Sequence, residues 1–234
     1  MTQIDTIKEI AQRVLQFPTN VGMGNNWLWD RTVRIVGNAE IVCRMPEVAG
    51  ANMAVDRFCL TAAAYFADTG FMNYIGIETI KAGLVLADIN TNDLREFSTQ
   101  IVFEQLGDVL DKSKLNKINR IISESNDRFS EMNEAMILSD ARNLEDIGVI
   151  GVFNEFCACG VHGKGVCDVL ESWKKKVDYR YWEARLKESF SFESVRKVAV
   201  RRFARAEELM NQLVVENSAK DIKEVTLESL THND

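Results

Sequence analysis

Three acidic side chains stand in otherwise apolar segments, where a carboxyl group can do chemistry that it does not do in water. Asp68 ends the run Leu-Thr-Ala-Ala-Ala-Tyr-Phe-Ala-Asp, and Asp140 and Glu145 lie in a second such segment, residues 137–151. A carboxyl group in an apolar pocket titrates near neutral pH and can act as a general acid or base. These residues predict, as one candidate function, a metal-free elimination, cyclisation or isomerisation.

A second set of reactive side chains combines thiols with an imidazole. Cys157, Cys159, His162 and Cys167 follow the spacing C-x-C-x2-H-x4-C. Thiolate and imidazole are the ligands that zinc prefers, but this spacing is not a common structural zinc pattern. Because free cysteines are frequent in helical cores, buried thiols are the preferred interpretation and a metal is the alternative.

A glycine-rich loop follows these cysteines. Gly160, Gly163 and Gly165 surround Lys164 ahead of a predicted helix. Such a loop can present backbone N–H groups and an ammonium to an anion. No predicted strand precedes it, which excludes a Walker-type phosphate loop. We therefore expect an ordinary turn between helices, with anion binding through Lys164 as the alternative.

Helical periodicity predicts the elements that position these side chains. Proline occurs only at positions 18 and 46, and alternating apolar and polar residues are rare, which is typical of an all-α fold. Thr2 and Asp5 resemble a capping box before a first amphipathic helix. Together the patterns predict a bundle of about nine or ten helices, the others at residues 30–44, 56–66, 77–88, 93–110, 114–124, 127–138, 142–158, 166–176 and 192–217.

Length and composition limit the class of protein. The chain has 234 residues, of which 46% are hydrophobic, and this predicts one domain over residues 1–234. Residues 218–234 lose helical periodicity, which is typical of a frayed or disordered tail. No apolar run is long enough to span a membrane, and no signal peptide is visible. The five cysteines agree with a reduced cytoplasmic location, and the net charge of −7 argues against a nucleic-acid partner.

Two segments resemble a known family. Residues 60–71 read Leu-Thr-Ala-Ala-Ala-Tyr-Phe-Ala-Asp-Thr-Gly-Phe, and residues 137–151 read Ile-Leu-Ser-Asp-Ala-Arg-Asn-Leu-Glu-Asp-Ile-Gly-Val-Ile-Gly. They resemble the HD-domain superfamily of metal-dependent phosphohydrolases, in which a helix ends in His-Asp, a small residue and Gly, and a later helix carries Asp-Ala-Asp-x-Leu-Asp-x-Ile-Gly.

Further motifs extend the resemblance. Residues 29–39, Trp-Asp-Arg-Thr-Val-Arg-Ile-Val-Gly-Asn-Ala, resemble the family's first motif, Trp-x-His-x-x-Arg-Val-x-x-Asn-Ala. Residues 181–186 and 192–196 resemble the C-terminal helices of one bacterial branch. The resemblance therefore covers about residues 25–215 and implies an HD-type helical bundle.

The resemblance also implies a metal site, which this chain does not keep intact. In the family, the ligands are the histidine of the first motif, both members of the His-Asp pair and the first aspartate of the later segment. Here Arg31 and Ala67 stand in place of the two histidines, while Asp68 and Asp140 remain. Two carboxylates without imidazoles form an incomplete site, and an adjacent guanidinium repels a cation. We therefore expect no metal and no other cofactor.

Arg31 can replace the lost cation from within the chain. Two aspartates together in a buried pocket repel each other. A guanidinium supplies a fixed positive charge and forked hydrogen bonds, so we expect Arg31 to bind Asp68, Asp140 or both. The alternative is drift, with Arg31 an ordinary surface residue. Arg142 in place of the second aspartate of Asp-Ala-Asp, and Asn154 in place of an arginine, agree with metal loss.

Three functions remain open from the sequence. The preferred one is a degenerate HD-domain protein that binds a small, anionic metabolite in the inherited pocket. The others are a metal-free enzyme using Asp68, Asp140 and Glu145, and a residual phosphohydrolase that recruits a metal weakly. The expected partners are a small molecule and a second copy in a homodimer. The expected ligand-binding residues are Arg31, Arg34, Asn38, Arg142, Asn143, Asn154 and Lys164.

Overall fold

The computed structural model describes residues 2–18, 24–25, 27–51, 53–73, 90–161 and 163–223. In that part of the chain the structure is helical, apart from one antiparallel pair of two-residue strands, which confirms the predicted all-α class. The strands are β1 (Phe17–Pro18) and β2 (Gly24–Asn25). The α-helices are α1 (Gln3–Leu15), α2 (Trp27–Val42), α3 (Arg57–Phe66), α4 (Thr91–Leu106), α5 (Lys112–Glu124), α6 (Asn133–Asp146), α7 (Val149–Val161), α8 (Val166–Asp178), α9 (Tyr181–Glu188) and α10 (Glu193–Asn217).

The first helix shows how the sequence sets an element. The Thr2 side chain accepts from the Asp5 backbone N–H and the Asp5 side chain accepts from the Thr2 backbone, so the predicted capping box is confirmed. Apolar residues at helical spacing then bury one face of α1. The fully buried members include Ile7, Ala11 and Leu15. This face packs α1 against α3.

Helix α3 lies at the centre of the bundle. Its residues from Cys59 to Phe66 are buried except Thr61, because the helix is apolar all round. Helices α1, α2, α5 and α6 pack around it, and α2 also packs along α6. After α3 the chain turns through residues 67–68 into a 3-10 helix, Thr69–Asn73, which packs on α4. The turn therefore brings residue 68 between α2 and α6.

Helix boundaries between residues 127 and 161 differ from the prediction. A break was expected between residues 138 and 142, but α6 runs without interruption to Asp146, and residues 127–132 lie before it. The break falls at Gly148, whose φ of 102° is left-handed and ends the helix. Asp140, Arg142 and Asn143, which lie at the expected break, bond to neighbouring elements from within the helix. Helix α9 was not predicted from periodicity.

Two expectations concern residues outside the described ranges. The helix predicted at residues 77–88 lies wholly there, and so does most of the predicted tail, residues 224–234. The described chain continues helically for one turn beyond α10, at residues 220–223. Among the described helices, none is both long and apolar enough to cross a membrane.

Substitution of Gly148 tests the turn between α6 and α7. A Cβ at this position would lie 2.9 Å from the Arg202 Cβ, and the backbone φ is +102°. We expect Gly148→Ala to lower the free energy of unfolding by about 1–3 kcal/mol in urea denaturation. The matched control is Gly37→Ala inside α2, where a Cβ meets nothing within 4 Å. That change should stabilise by about 0.5–1 kcal/mol, and equal effects at both sites would contradict this account of the turn.

Candidate functional site

Arg31 is buried in α2, with 5% of its surface exposed, and it bonds two carboxylates. Its Nε donates to Asp68 Oδ2 at 2.9 Å and its Nη1 donates to Asp146 Oδ1 at 2.8 Å. Burial lowers the pKa of Arg31, but the charges of Asp146 and Asp68 outweigh burial and hold this pKa above its ordinary value. The predicted contact between Arg31 and Asp68 is confirmed, and Arg31 is not a surface residue.

Asp68 receives a guanidinium on each oxygen. Arg142 Nη2 donates to Asp68 Oδ1 at 2.7 Å, opposite the bond from Arg31. Burial raises the pKa of Asp68, but the charges of Arg142 and Arg31 outweigh it and hold this pKa below its usual range. The turn itself is anchored because the Ser98 hydroxyl donates to the Ala67 carbonyl at 3.0 Å and accepts from the Gly70 N–H at 2.9 Å.

These contacts form a continuous series of ion pairs, which we call the arginine–aspartate chain: Arg142, Asp68, Arg31, Asp146 and Arg185. Its last bond runs from Arg185 Nη2 to Asp146 Oδ2 at 2.9 Å. The arginine–aspartate chain begins and ends with an arginine. Three guanidinium groups therefore alternate with two carboxylates and leave one excess positive charge. It joins α2, the turn after α3, α6 and α9.

Asp140 takes no part in this series of ion pairs, so of its two expected partners Arg31 binds Asp68 and not Asp140. Its carboxylate lies at the start of α10 and accepts backbone N–H bonds from Ser191 at 2.8 Å and Phe192 at 3.1 Å. The reason is helical geometry: successive residues turn by about 100°, so positions 140 and 142 point to nearly opposite sides of α6. Because Arg142 faces Asp68, Asp140 faces α10.

Asp146 and Arg185 are the members of the chain that the sequence analysis did not single out. Asp146 follows Arg142 by four residues and therefore lies on the same face of α6. That spacing, once Arg142 is placed toward Asp68, is the signal that would have found it. Arg185 comes from α9, and nothing in the local sequence connects it with residue 146.

The remaining predicted polar residues of α2 and α6 hold these two helices and α9 together. Arg34 donates to the buried carboxylate of Glu145 at 2.6 Å. Asn38 donates through Nδ2 to the Ala141 carbonyl at 3.2 Å. Asn143 donates through Nδ2 to the Ser189 carbonyl at 2.8 Å. The residues expected to act as acids or bases, Asp68, Asp140 and Glu145, are therefore each engaged by different partners.

A cavity of about 370 Å³ lies between α2 and α7, and we call it the α2–α7 cavity. It brings together three of the predicted ligand-binding residues, Arg31, Arg34 and Asn154. Its apolar wall includes Phe153, which is 65% exposed, and Ile150, which is 40% exposed. Pockets for small molecules combine an apolar wall with a few polar groups in this way. The complete lining consists of Trp27, Asp30, Arg31, Arg34, Val149, Ile150, Phe153 and Asn154.

Lys164 lies in a different cavity, of about 700 Å³, between α7, α8 and α9. The Lys164 backbone N–H donates to the Cys159 carbonyl at 2.9 Å, which fits an ordinary turn between helices. Lys164 is therefore not part of the same site as Arg31. The lining consists of Cys159, Lys164, Asp168, Glu171, Ser172, Lys175, Lys176, Tyr179 and Tyr181.

The cysteines near this turn are free thiols. Cys157 and Cys167 are exposed and Cys159 is half-buried, which corrects the expectation that they are buried. His162 lies outside the described residues. Within the described ranges, no three His, Cys, Asp or Glu side chains converge closely enough to hold a metal ion.

Comparison with known proteins finds similar structures. No family model and no curated protein matches the sequence. The crystal structure of Bacillus subtilis YpgQ aligns with a TM-score of 0.59 at 20% identity, over 90% of this chain and 93% of YpgQ. YpgQ in complex with ADP aligns equally well, at 21% identity. A Lactobacillus plantarum protein aligns with a TM-score of 0.59 at 16% identity, over 94% of this chain and 99% of its own. At these identities the similarity shows a shared all-α fold.

Replacement of Asp68 tests how far the arginine–aspartate chain stabilises the bundle. Asp68→Asn leaves the buried guanidiniums of Arg31 and Arg142 without their common carboxylate. We expect a loss of about 3–5 kcal/mol in the free energy of unfolding, measured by urea denaturation. The control is Glu208→Gln, which removes an exposed ion pair with Arg205 on α10 and should cause no measurable change. A loss of similar size in both variants would contradict the role given to Asp68.

The burial of Asp140 predicts a pH dependence. Burial raises the pKa of Asp140 from 3.8 to about 6, against the opposing effect of the Ser191 and Phe192 N–H groups. The folded state therefore binds the proton of the Asp140 carboxyl more tightly than the unfolded state does. The contribution of this proton to the free energy of unfolding is complete below about pH 4 and is lost as the pH rises through 6. At about 1.4 kcal/mol per pH unit, wild type should lose up to about 3 kcal/mol relative to Asp140→Asn between pH 4 and 7. Urea denaturation at several pH values measures this difference, and a constant difference refutes it.

Proposed function

We propose that this chain is a degenerate HD-domain protein that binds a small anionic metabolite in the α2–α7 cavity. The observation that carries the proposal is the double bonding of Asp68 by Arg31 and Arg142. By the resemblance, Arg31 stands in place of a metal-binding histidine and Arg142 in place of an aspartate. Each Asp68 oxygen already accepts a guanidinium N–H, and the two positive charges repel a divalent cation.

Two guanidiniums line the cavity beside the carboxylate of Asp30, and they supply donors for an anion. Arg31, which lines the cavity, belongs to the arginine–aspartate chain with its excess positive charge. Arg34 also lines the cavity, and its side chain is 39% exposed although its guanidinium binds Glu145. An exposed guanidinium edge can donate to phosphate or carboxylate oxygens. The Asn154 amide supplies a further donor at the same wall.

The apolar wall favours a ligand with a flat apolar part. Trp27 and Phe153 line the α2–α7 cavity, and Trp27 is supported by Phe71, whose ring centroid is 6.5 Å away. Aromatic side chains bind flat rings by stacking. A nucleoside phosphate combines such a ring with an anionic group, and the structural relative YpgQ has been crystallised in complex with ADP. Nucleoside phosphates are therefore the first ligands to test.

The metal-free acid–base function finds no support in the arrangement of the three acids. Asp68 is held ionised by two guanidiniums, and Glu145 is bound to Arg34. Asp140 lies on a different side of α6, against the start of α10. No single reacting atom can be placed between carboxyl groups that face different elements.

Calorimetric titration with ADP tests the proposal. We expect ADP to bind to the wild type, and Phe153→Ala to weaken binding about tenfold because it removes an aromatic wall of the cavity. The matched control is Phe129→Ala, since Phe129 is 78% exposed and does not line the cavity. This control should bind ADP as the wild type does.

Two results would refute the proposed function. One is ADP affinity that is unaffected by Phe153→Ala, which would place the ligand elsewhere. The other is saturable binding of Mn²⁺ to the apoprotein that is abolished by Asp68→Ala, which would mean that Asp68 still serves as a metal ligand.

Titration with AMP and with adenosine should show affinity that falls with the charge of the ligand.

A further inference from the structure

Asp30 is the acidic residue of the α2–α7 cavity, and it is exposed there beside Arg31 and Arg34. Both arginines bind other carboxylates. Arg34, which at four residues' distance is well placed to pair with Asp30, donates to Glu145 at 2.6 Å instead. Arg31 donates to two aspartates on neighbouring elements. Within the described part of the chain, the Asp30 carboxylate forms no hydrogen bond or ion pair. A cavity that offers donors to an anion therefore also contains an unpaired acceptor.

This unpaired carboxylate restricts the chemistry of the ligand. An ionised carboxylate only accepts hydrogen bonds, and it repels a bare anion. A ligand that is anionic throughout is opposed by Asp30, whereas hydroxyl groups next to an anionic group can donate to it. Vicinal hydroxyls suit a carboxylate because each of its two oxygens can accept one bond. Acidic side chains bind the ribose of dinucleotides through its 2′-hydroxyl in this way.

The order of side chains along α2 matches a particular kind of ligand. Trp27, Asp30 and Arg34 all line the cavity, and their spacing of three and four residues places them on one face of the helix. At a rise of roughly 1.5 Å per residue, Trp27 and Arg34 are about 10 Å apart along the helix axis, with Asp30 between them. The face thus presents an aromatic ring, an acceptor and a guanidinium in succession. A nucleoside phosphate has the same order: a flat base, a hydroxylated sugar and an anionic group.

We propose that Asp30 determines specificity for the sugar of the ligand, and that the α2–α7 cavity takes a ribonucleoside phosphate whose 2′- and 3′-hydroxyls donate to the Asp30 carboxylate. The base then lies against Trp27 and the phosphate against Arg34. This inference rests on the proposed function and narrows its anionic metabolite to nucleoside phosphates with both ribose hydroxyls free.

Calorimetric titration with ADP and with 2′,3′-dideoxyadenosine diphosphate tests the role of Asp30. Wild type should bind ADP more tightly by about tenfold or more, because the dideoxy analogue has no hydroxyl to donate to the carboxylate. In Asp30→Ala the ratio of the two affinities should fall to about one. The ratio is the decisive quantity, since removal of a negative charge also strengthens the binding of both anionic ligands alike.

The matched control is Glu40→Ala. Glu40 is an exposed acidic residue of α2 that does not line the cavity. Its replacement removes the same charge from the same helix, so the ratio of the two affinities should stay as in wild type. Because both positions are exposed, both variants should keep the fold, which far-UV circular dichroism monitors.

The outcomes separate this inference from the proposed function. Equal affinity of wild type for ADP and its dideoxy analogue overturns the role of Asp30, and so does a ratio that Asp30→Ala leaves unchanged. In either case, ADP binding that Phe153→Ala weakens still supports the proposed function. Absence of ADP binding to wild type overturns both.

A crystal structure of the ADP complex locates the sugar without relying on a variant. We expect the Asp30 carboxylate to accept hydrogen bonds from the ribose hydroxyls. A ribose that points away from Asp30, or a carboxylate that accepts from the base instead, would overturn the inference.

Discussion

The buried carboxylate of Asp68 is the constraint on which the rest of the structure depends. A charge that is 1% exposed is stable in a protein interior only when its oxygens are paired, and here the partners come from α2 and α6. Arg31 and Arg142 therefore fix both helices against the turn that follows α3. Because α3 is buried in the middle of the bundle, this one carboxylate connects the central helix with the two helices that bear the candidate site.

The same interaction determines what the site can bind. One carboxylate bound to two guanidiniums leaves a net positive charge, so its surroundings favour negative rather than positive ligands. The arginine–aspartate chain brings this excess positive charge to the α2–α7 cavity through Arg31, which lines the cavity. The proposed function rests on that reversal of charge, which favours a metabolite with an anionic group in the cavity. The proposed descent from HD-domain proteins explains why the acidic residue persists although its partners are arginines.

The contact between Arg31 and Asp68 was predicted correctly from the sequence. The partners of Asp140 were not, because they depend on which way each residue of α6 faces. Arg31 and Asp68 were paired correctly, because the proposed resemblance to HD-domain motifs assigns both to one site. Asp140 was assigned to the same group by its type and position in the motif. It points to α10 instead, since residues two apart on α6 face nearly opposite directions. The break predicted within α6 was wrong: the helix continues to Asp146, and Asp140, Arg142 and Asn143 bond to other elements from within it.

By itself, the sequence determined the helical class, the capping box of α1, the buried character of α3 and the pairing of Arg31 with Asp68. The first three follow from local periodicity and residue type, which act over a few neighbouring positions. The pairing of Arg31 with Asp68 was expected from the resemblance to HD-domain motifs. Only the tertiary structure decided that Asp146 and Arg185 complete the arginine–aspartate chain and that Lys164 lies in another cavity. Contacts of this kind depend on how distant helices rotate and pack against one another, and local sequence does not encode that rotation.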